Sequence, residues 1–105
     1  MPDDRLWRDT NGRLTFDLPH VTAADYPSIC KALAVAFALM PGTRLIAGLD
    51  QMFRDYRLGE QILGLEWDIR RGFLLVARTP NADPLVREIA DWLSRSQWAG
   101  TDKPV

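Results

Sequence analysis

Residues 51–68 read QMFRDYRLGEQILGLEWD, and this stretch decides the fold. A Gly-Glu pair at 59–60 separates two runs in which apolar and polar side chains alternate. Glycine at the first central position favours a two-residue type II′ turn between antiparallel strands. That turn places Tyr56 opposite Leu63 and gathers the apolar side chains on one face, where Arg54 is the single charged residue. The predicted apolar face holds Met52, Tyr56, Leu63, Leu65 and Trp67, and the opposite face holds Phe53, Asp55, Arg57, Ile62, Gly64 and Glu66.

A helix competes with the first of these strands. The apolar residues between 45 and 58 also fit a helical period. Gly48, inside the segment, and the turn at 59–60 both weigh against a helix, so we favour a strand and keep a helix over 45–58 as the alternative. The residues that fit the helical period are Leu45, Ile46, Leu49, Met52, Phe53 and Tyr56.

A second hairpin is indicated near the N-terminus. Asn-Gly at 11–12 favours a two-residue type I′ turn, because both central residues of that turn need a positive φ. The resulting register pairs Trp7 with Phe16, on the same inward face as Leu14 and Leu18.

Two helices and one more strand complete the predicted order. Asp25 is a predicted N-cap, and the first helix should run to about Met40, because Pro-Gly at 41–42 cannot continue it. The unbroken apolar run at 72–78 predicts an inner strand. Asp83 caps the predicted second helix. The buried stripe of that helix is predicted to be Leu85, Ile89, Trp92 and Leu93.

These elements predict an α+β fold, an antiparallel sheet of four to five strands in the order ββαβββα with two helices packed on one face. Residues 1–98 form one predicted domain, and residues 99–105 form a predicted flexible C-terminal tail. The acidic start, Met1-Pro2-Asp3-Asp4, and the lack of an apolar run of about 20 residues predict a cytoplasmic protein with no membrane partner.

Composition excludes several classes of site. The 105 residues carry a net charge of -1 with one cysteine and one histidine. A disulfide framework and a multi-cysteine zinc site are therefore excluded, and no strong field attracts nucleic acid. We predict no metal site, no cofactor and no enzymatic activity.

Two clusters of reactive side chains define an alternative as a small enzyme or ligand-binding domain. Cys30 and His20 could form a nucleophilic dyad, and Asp17, His20 and Asp25 could meet before the first helix as a metal site. A lone cysteine on a helix usually behaves as a small buried apolar residue, which favours a structural role for Cys30.

The outer face of the sheet supports two further hypotheses. Asp55 and Glu66 could divide acid and base roles, although a solvated set of charges is the simpler interpretation. A platform for single-stranded nucleic acid could form around Phe53, Arg57 and Ile62, with Arg70 and Arg71 at its edge. The interleaved carboxylates Asp55, Glu66 and Asp68 oppose that hypothesis.

Surface contact is the leading prediction. The back of the first helix (Ala34, Val35, Ala38 and Leu39) is apolar and is covered only if residues 43–50 or the second helix pack on it. We predict a small non-catalytic domain of the adaptor, inhibitor or neutraliser type, which binds a protein partner or forms a homodimer through the first helix or an exposed strand edge. The predicted partner-binding residues are Lys31, Val35, Leu39, Phe53, Arg57 and Ile62.

Overall fold

The computed structural model describes residues 5–99. They form one small α+β domain, which confirms the predicted class; the predictions for residues 1–4 and for 100–105 of the tail lie outside the described residues. Neither helix in 5–99 is long and apolar enough to cross a lipid bilayer. The helices are α1 (Tyr26–Phe37) and α2 (Asp83–Ser94), the latter preceded by a 3-10 turn at Pro80–Ala82. The strands are β1 (Leu6–Arg8), β2 (Leu14–Leu18), β3 (Met40–Pro41), β4 (Ile46–Ala47), β5 (Gln51–Leu58), β6 (Gln61–Asp68) and β7 (Gly72–Ala77).

The strands make one antiparallel sheet in the order β1-β2-β7-β6-β5-β3, and β4 also pairs with β5. Helix α1 carries the chain from β2 across to the β5 edge, and the β5-β6-β7 meander brings it back to β2. The sheet therefore has seven strands, not the four to five expected. The two extra strands, β3 and β4, have two residues each. Strand β3 lies where the sequence predicted the end of a helix, and β4 lies in the segment for which a strand and a helix competed.

Helix α1 ends three residues earlier than predicted. Ala38 adopts the left-handed conformation with φ 57°, and the Leu39 N–H donates to the Ala34 carbonyl at 3.0 Å. This turn directs Leu39 into the core, where only 5% of its surface is exposed. The expectation that Leu39 lies on an exposed helix back is therefore wrong. The chain then enters β3 at Met40.

The central hairpin has the register predicted from its turn. Tyr56 lies opposite Leu63 and Met52 opposite Trp67. Gly59 has φ +61°, and a type II′ turn needs a positive φ at its first central position. Residues 51–58 are a strand, so the helical alternative is wrong. Strand β7 is buried along its whole length between β2 and β6, as its apolar run predicted.

The N-terminal hairpin differs from the prediction by one residue. The Asp9 carboxylate accepts the N–H groups of Asn11 at 2.8 Å and of Arg13 at 2.9 Å. This Asx turn makes a three-residue loop, in which Gly12 has φ +78°. Trp7 therefore pairs with Thr15 and lies on the outer face, and Leu6 takes the inward position opposite Phe16.

One core joins both helices to the inner face of the sheet. Two buried polar contacts fix α1 on that face: the Tyr26 hydroxyl donates to the Leu65 carbonyl, and the Trp67 indole N–H donates to the Val21 carbonyl at 2.9 Å. The predicted carboxylate caps are absent from both helices, whose N-termini carry no side-chain cap hydrogen bond. Asp83 instead forms an ion pair with Arg8 at 2.8 Å.

Candidate functional site

Strand β5 is the last long strand of the sheet. Its outer neighbour is an interrupted strand, which consists of β3 and β4. The Gly42 N–H donates to the Asp55 carbonyl at 2.8 Å, and farther along Ile46 lies opposite Phe53. Three residues, 43–45, therefore face a single residue of β5. Such a bulge twists an edge strand and hinders the addition of another strand to it.

Thr43 holds this bulge in place. Its Oγ1 accepts the Asp55 N–H at 3.0 Å, and its carbonyl accepts the Arg54 Nε–H at 2.7 Å. A threonine side chain thus replaces a missing backbone hydrogen bond of the sheet. Next to the bulge, Pro41 has no N–H to offer to a further strand, which is the usual position of proline in an edge strand.

The large exposed apolar side chains are concentrated in one stretch of the chain, which runs from α1 into this edge. Within residues 5–99, five of the six that are exposed lie in the fifteen residues from 35 to 49, and we name them the edge patch. Val35 is 77% exposed and Leu49 is 97% exposed. The sixth, Ile69, is close by, because its N–H donates to the Asp50 carbonyl at 2.8 Å. The edge patch consists of Val35, Met40, Leu45, Ile46 and Leu49.

Three exposed cations and one exposed carboxylate, Asp50, lie beside members of the edge patch. Lys31, Arg44 and Arg57 are exposed, and none of them forms an ion pair with another residue of the 5–99 range. Lys31 lies on α1, Arg44 lies in the bulge and Arg57 lies opposite Met40. These cations can therefore pair with carboxylates brought by another molecule.

A cavity of about 350 Å³ opens beside the bulge on the outer face of the sheet. Arg57 and Ile62, which are direct cross-strand partners, line it together with residues 41–43 and Asp55. Two of the predicted contact residues thus meet in one concave site. Phe53, on the same face, is half-buried.

One arginine pairs with two carboxylates of the outer face, Asp55 and Glu66. The Arg78 Nε donates to Asp55 at 3.0 Å, and its Nη2 pairs with Glu66. The guanidinium lies over Gly64, in the space that a side chain at position 64 would fill. Burial alone would lower the pKa of Arg78, but the two carboxylates raise it above its ordinary value. Asp55 and Glu66 therefore belong to an ion-pair network centred on Arg78. The sequence pattern did not indicate Arg78 as their partner.

The residues of the alternative reactive site have different neighbours. Asp17 lies on the outer face and accepts the Trp7 indole N–H at 3.3 Å. The exposed ring of His20 contacts the Trp98 carbonyl at 3.2 Å. Cys30 lies on the buried face of α1, where it contacts the hydroxyl groups of Tyr26 and Tyr56. Across residues 5–99, no three His, Cys, Asp or Glu side chains are grouped so that they could hold a metal ion.

Burial raises the pKa of the Cys30 thiol to about 11, although hydrogen bonds with the two tyrosines oppose the shift. We expect the folded protein to react with a disulfide reagent at pH 8 only as fast as it opens, because the thiolate is the reactive form. The unfolded chain loses this proton near its ordinary pKa of 9.0 and the folded chain near 11, so the free energy of unfolding should fall as the pH rises between these values. Urea titrations at several pH values, with Cys30→Ala as the control, measure this slope. Complete labelling of the folded protein within seconds would contradict the expectation.

The predicted contact residues fall into three groups. Lys31 and Val35 are exposed on α1, Arg57 and Ile62 line the outer cavity, and Leu39 is buried. Neither segment 43–50 nor α2 fully covers the helix back, because Val35 is 77% exposed and Ala38 is also exposed. Met40, Leu45, Ile46 and Leu49 were missed as surface residues. The available signal was that these apolar residues flank Pro-Gly at 41–42 and lie outside the register of the predicted 51–68 hairpin, which therefore gives them no strand partner.

Comparison of the chain with protein-family models, with curated proteins and with solved structures gives no match. The edge patch, the three cations beside it and the cavity beside the bulge form the candidate site.

Proposed function

We propose that this chain is a small non-catalytic cytosolic domain that binds another protein along the β5 edge. One observation carries the proposal, namely the concentration of exposed apolar side chains in the edge patch. Leaving such side chains in water is unfavourable by roughly 25 cal/mol for each Å² that a partner could cover. Contiguous apolar surface rimmed by polar residues is typical of protein contact sites.

The charges around the edge patch indicate the chemistry of the partner. Lys31, Arg44 and Arg57 would be complemented by a surface that presents apolar side chains flanked by carboxylates. A second copy of this chain fits less well, because a two-fold axis through the edge would bring the same cations together from both copies. The bulge and Pro41 also favour docking through side chains rather than through an added strand.

The test compares the wild type with the double variant Met40→Asp/Ile46→Asp. Proteins captured from native lysate by the wild type are identified, purified and titrated individually against both chains. We expect at least one of them to bind the wild type, to bind the edge variant at least about tenfold more weakly, and to contact the edge through an acidic, apolar segment. The control is Thr10→Asp/Gln97→Asp, which adds the same charge at two exposed residues outside the edge patch.

Two outcomes contradict the proposal. Equal affinity of every purified partner for the wild type and the edge variant would remove the edge patch from the interface. A dimer in light scattering that the edge variant converts to a monomer would identify a second copy as the occupant.

A further inference from the structure

Arg54 is the one charged residue on the inward face of the central hairpin. It lies on the inward face of β5, half-buried and opposite Leu65. Its Nε donates to the Thr43 carbonyl, and its guanidinium lies 5.6 Å from the centroid of the Tyr56 ring. No carboxylate pairs with it in the described part of the chain. A charge that is withdrawn from water without a counter-ion is costly.

A cavity of about 210 Å³ between α1 and β5 contains this arginine. Lys31 is the second cation of its lining, which includes no carboxylate. Burial raises the pKa values of Tyr26, Cys30 and Tyr56, so these three groups are uncharged at neutral pH and do not repel an anion. The remaining lining comes from Pro27 and Leu45.

We propose that this cavity binds a carboxylate carried on a small apolar group. Arg54 offers its remaining N–H groups to the carboxylate, Lys31 supplies a second positive charge from α1, and the apolar part packs against Pro27 and Leu45. Charge-assisted hydrogen bonds from a guanidinium are among the stronger contacts available to a carboxylate. A cavity of this size admits a short acyl or aromatic acid and is too small for a nucleotide. This site goes beyond the proposed protein contact. It shares Lys31 and Leu45 with the candidate site but lies between α1 and β5, whereas Met40 and Ile46 lie opposite outer-face residues of β5.

Two sources could supply this chemistry, a free organic acid and the carboxyl terminus of a peptide. Hexanoate is the first probe, and a tetrapeptide that ends in leucine, with a free or an amidated terminus, is the second. Each is titrated against the isotope-labelled protein, and backbone amide shifts are followed by NMR. We expect saturable shifts at residues around the cavity with hexanoate or the free-acid peptide, and the tighter of the two identifies the source.

Substitution tests the role of the charge. We expect Arg54→Met to weaken binding of the acid at least about tenfold, and Arg87→Met, an exposed arginine of α2, to leave it unchanged. The edge variant Met40→Asp/Ile46→Asp should still bind the acid, so that this proposal and the proposed function fail separately. Equal binding of hexanamide and hexanoate, no saturable shift with either acid, or unchanged binding by Arg54→Met would overturn the proposal. A fall in the thermal midpoint of Arg54→Met with unchanged binding would assign Arg54 a structural role only.

Discussion

We expect Gly72→Ala to lower the free energy of unfolding by at least about 3 kcal/mol relative to the wild type. Gly72 begins β7 with φ +77°, a conformation that residues with a Cβ rarely adopt. A Cβ there would also clash with the Leu18 carbonyl oxygen and lie 2.7 Å from backbone atoms of Pro19. Because those neighbours are backbone, β2 would have to move away from β7. Urea unfolding followed by tryptophan fluorescence measures the loss.

Gly12→Ala is the matched control. Gly12 has nearly the same φ, +78°, but an added Cβ would meet no atom within 4 Å. We expect Gly12→Ala to lower the free energy of unfolding by about 1–2 kcal/mol, because it introduces backbone strain alone. The difference between the two variants isolates the close approach of β2 to β7. Equal losses would show that the chain relaxes around the new Cβ and would contradict the expectation for Gly72.

Arg78→Met is expected to lower the free energy of unfolding by about 2 kcal/mol at neutral pH and low salt. The variant removes the only cation paired with Asp55 and Glu66 in the described part of the chain. It leaves two carboxylates without a counter-ion at diagonal positions of the outer face, since Asp55 lies opposite Gly64 and Glu66 is two residues farther along β6. The Arg78 side chain is 22% exposed, which limits the screening of these pairs by water. Added sodium chloride should recover part of the loss, because it screens the repulsion.

Arg95→Met provides the comparison for an exposed pair. Arg95 contacts Asp91 at 2.7 Å, one helical turn away, and both side chains are at least 70% exposed. We expect Arg95→Met to lower the free energy of unfolding by no more than about 0.5 kcal/mol. Arg78→Lys, which keeps the charge but cannot reach both carboxylates in the same way, should fall between the wild type and Arg78→Met. If Arg78→Met and Arg95→Met lose the same amount, the outer network does not stabilise the fold.

The sequence predicted the central hairpin because a tight turn and a two-residue period specify the same register. Gly59 fixes the turn, and a shift of one residue would have placed Leu65 and Trp67 in water. The N-terminal hairpin had a weaker pattern, since its first strand supplies few apolar residues to select a register. There the Asp9 carboxylate selected a three-residue loop over the type I′ turn that Asn-Gly favours. Asp68 uses the same device, accepting the Arg70 N–H at 2.7 Å.

The edge was harder to predict. Two-residue strands have no period, and β3 and β4 exist only because β5 supplies their partners. The exit from α1 depends on a left-handed alanine at position 38, for which sequence gives no signal, since glycine is the usual residue there. Without that turn, Leu39 would have continued the helix. The exposure of the edge patch followed from tertiary pairing and was therefore only partly visible in the sequence, through the apolar back of α1.

The described ends of the chain lie side by side. The Arg5 guanidinium donates to the Ala99 carbonyl at 3.0 Å, where β1 borders the sheet on the side opposite β5. The described ends therefore lie at the border of the sheet away from β3 and β4, which carry Met40 and Ile46. A short linker could therefore join residue 99 to residue 5, and the chain could be opened at the 59–60 turn to give new termini. We expect this circularly permuted protein to fold, with the linker lying beside β1.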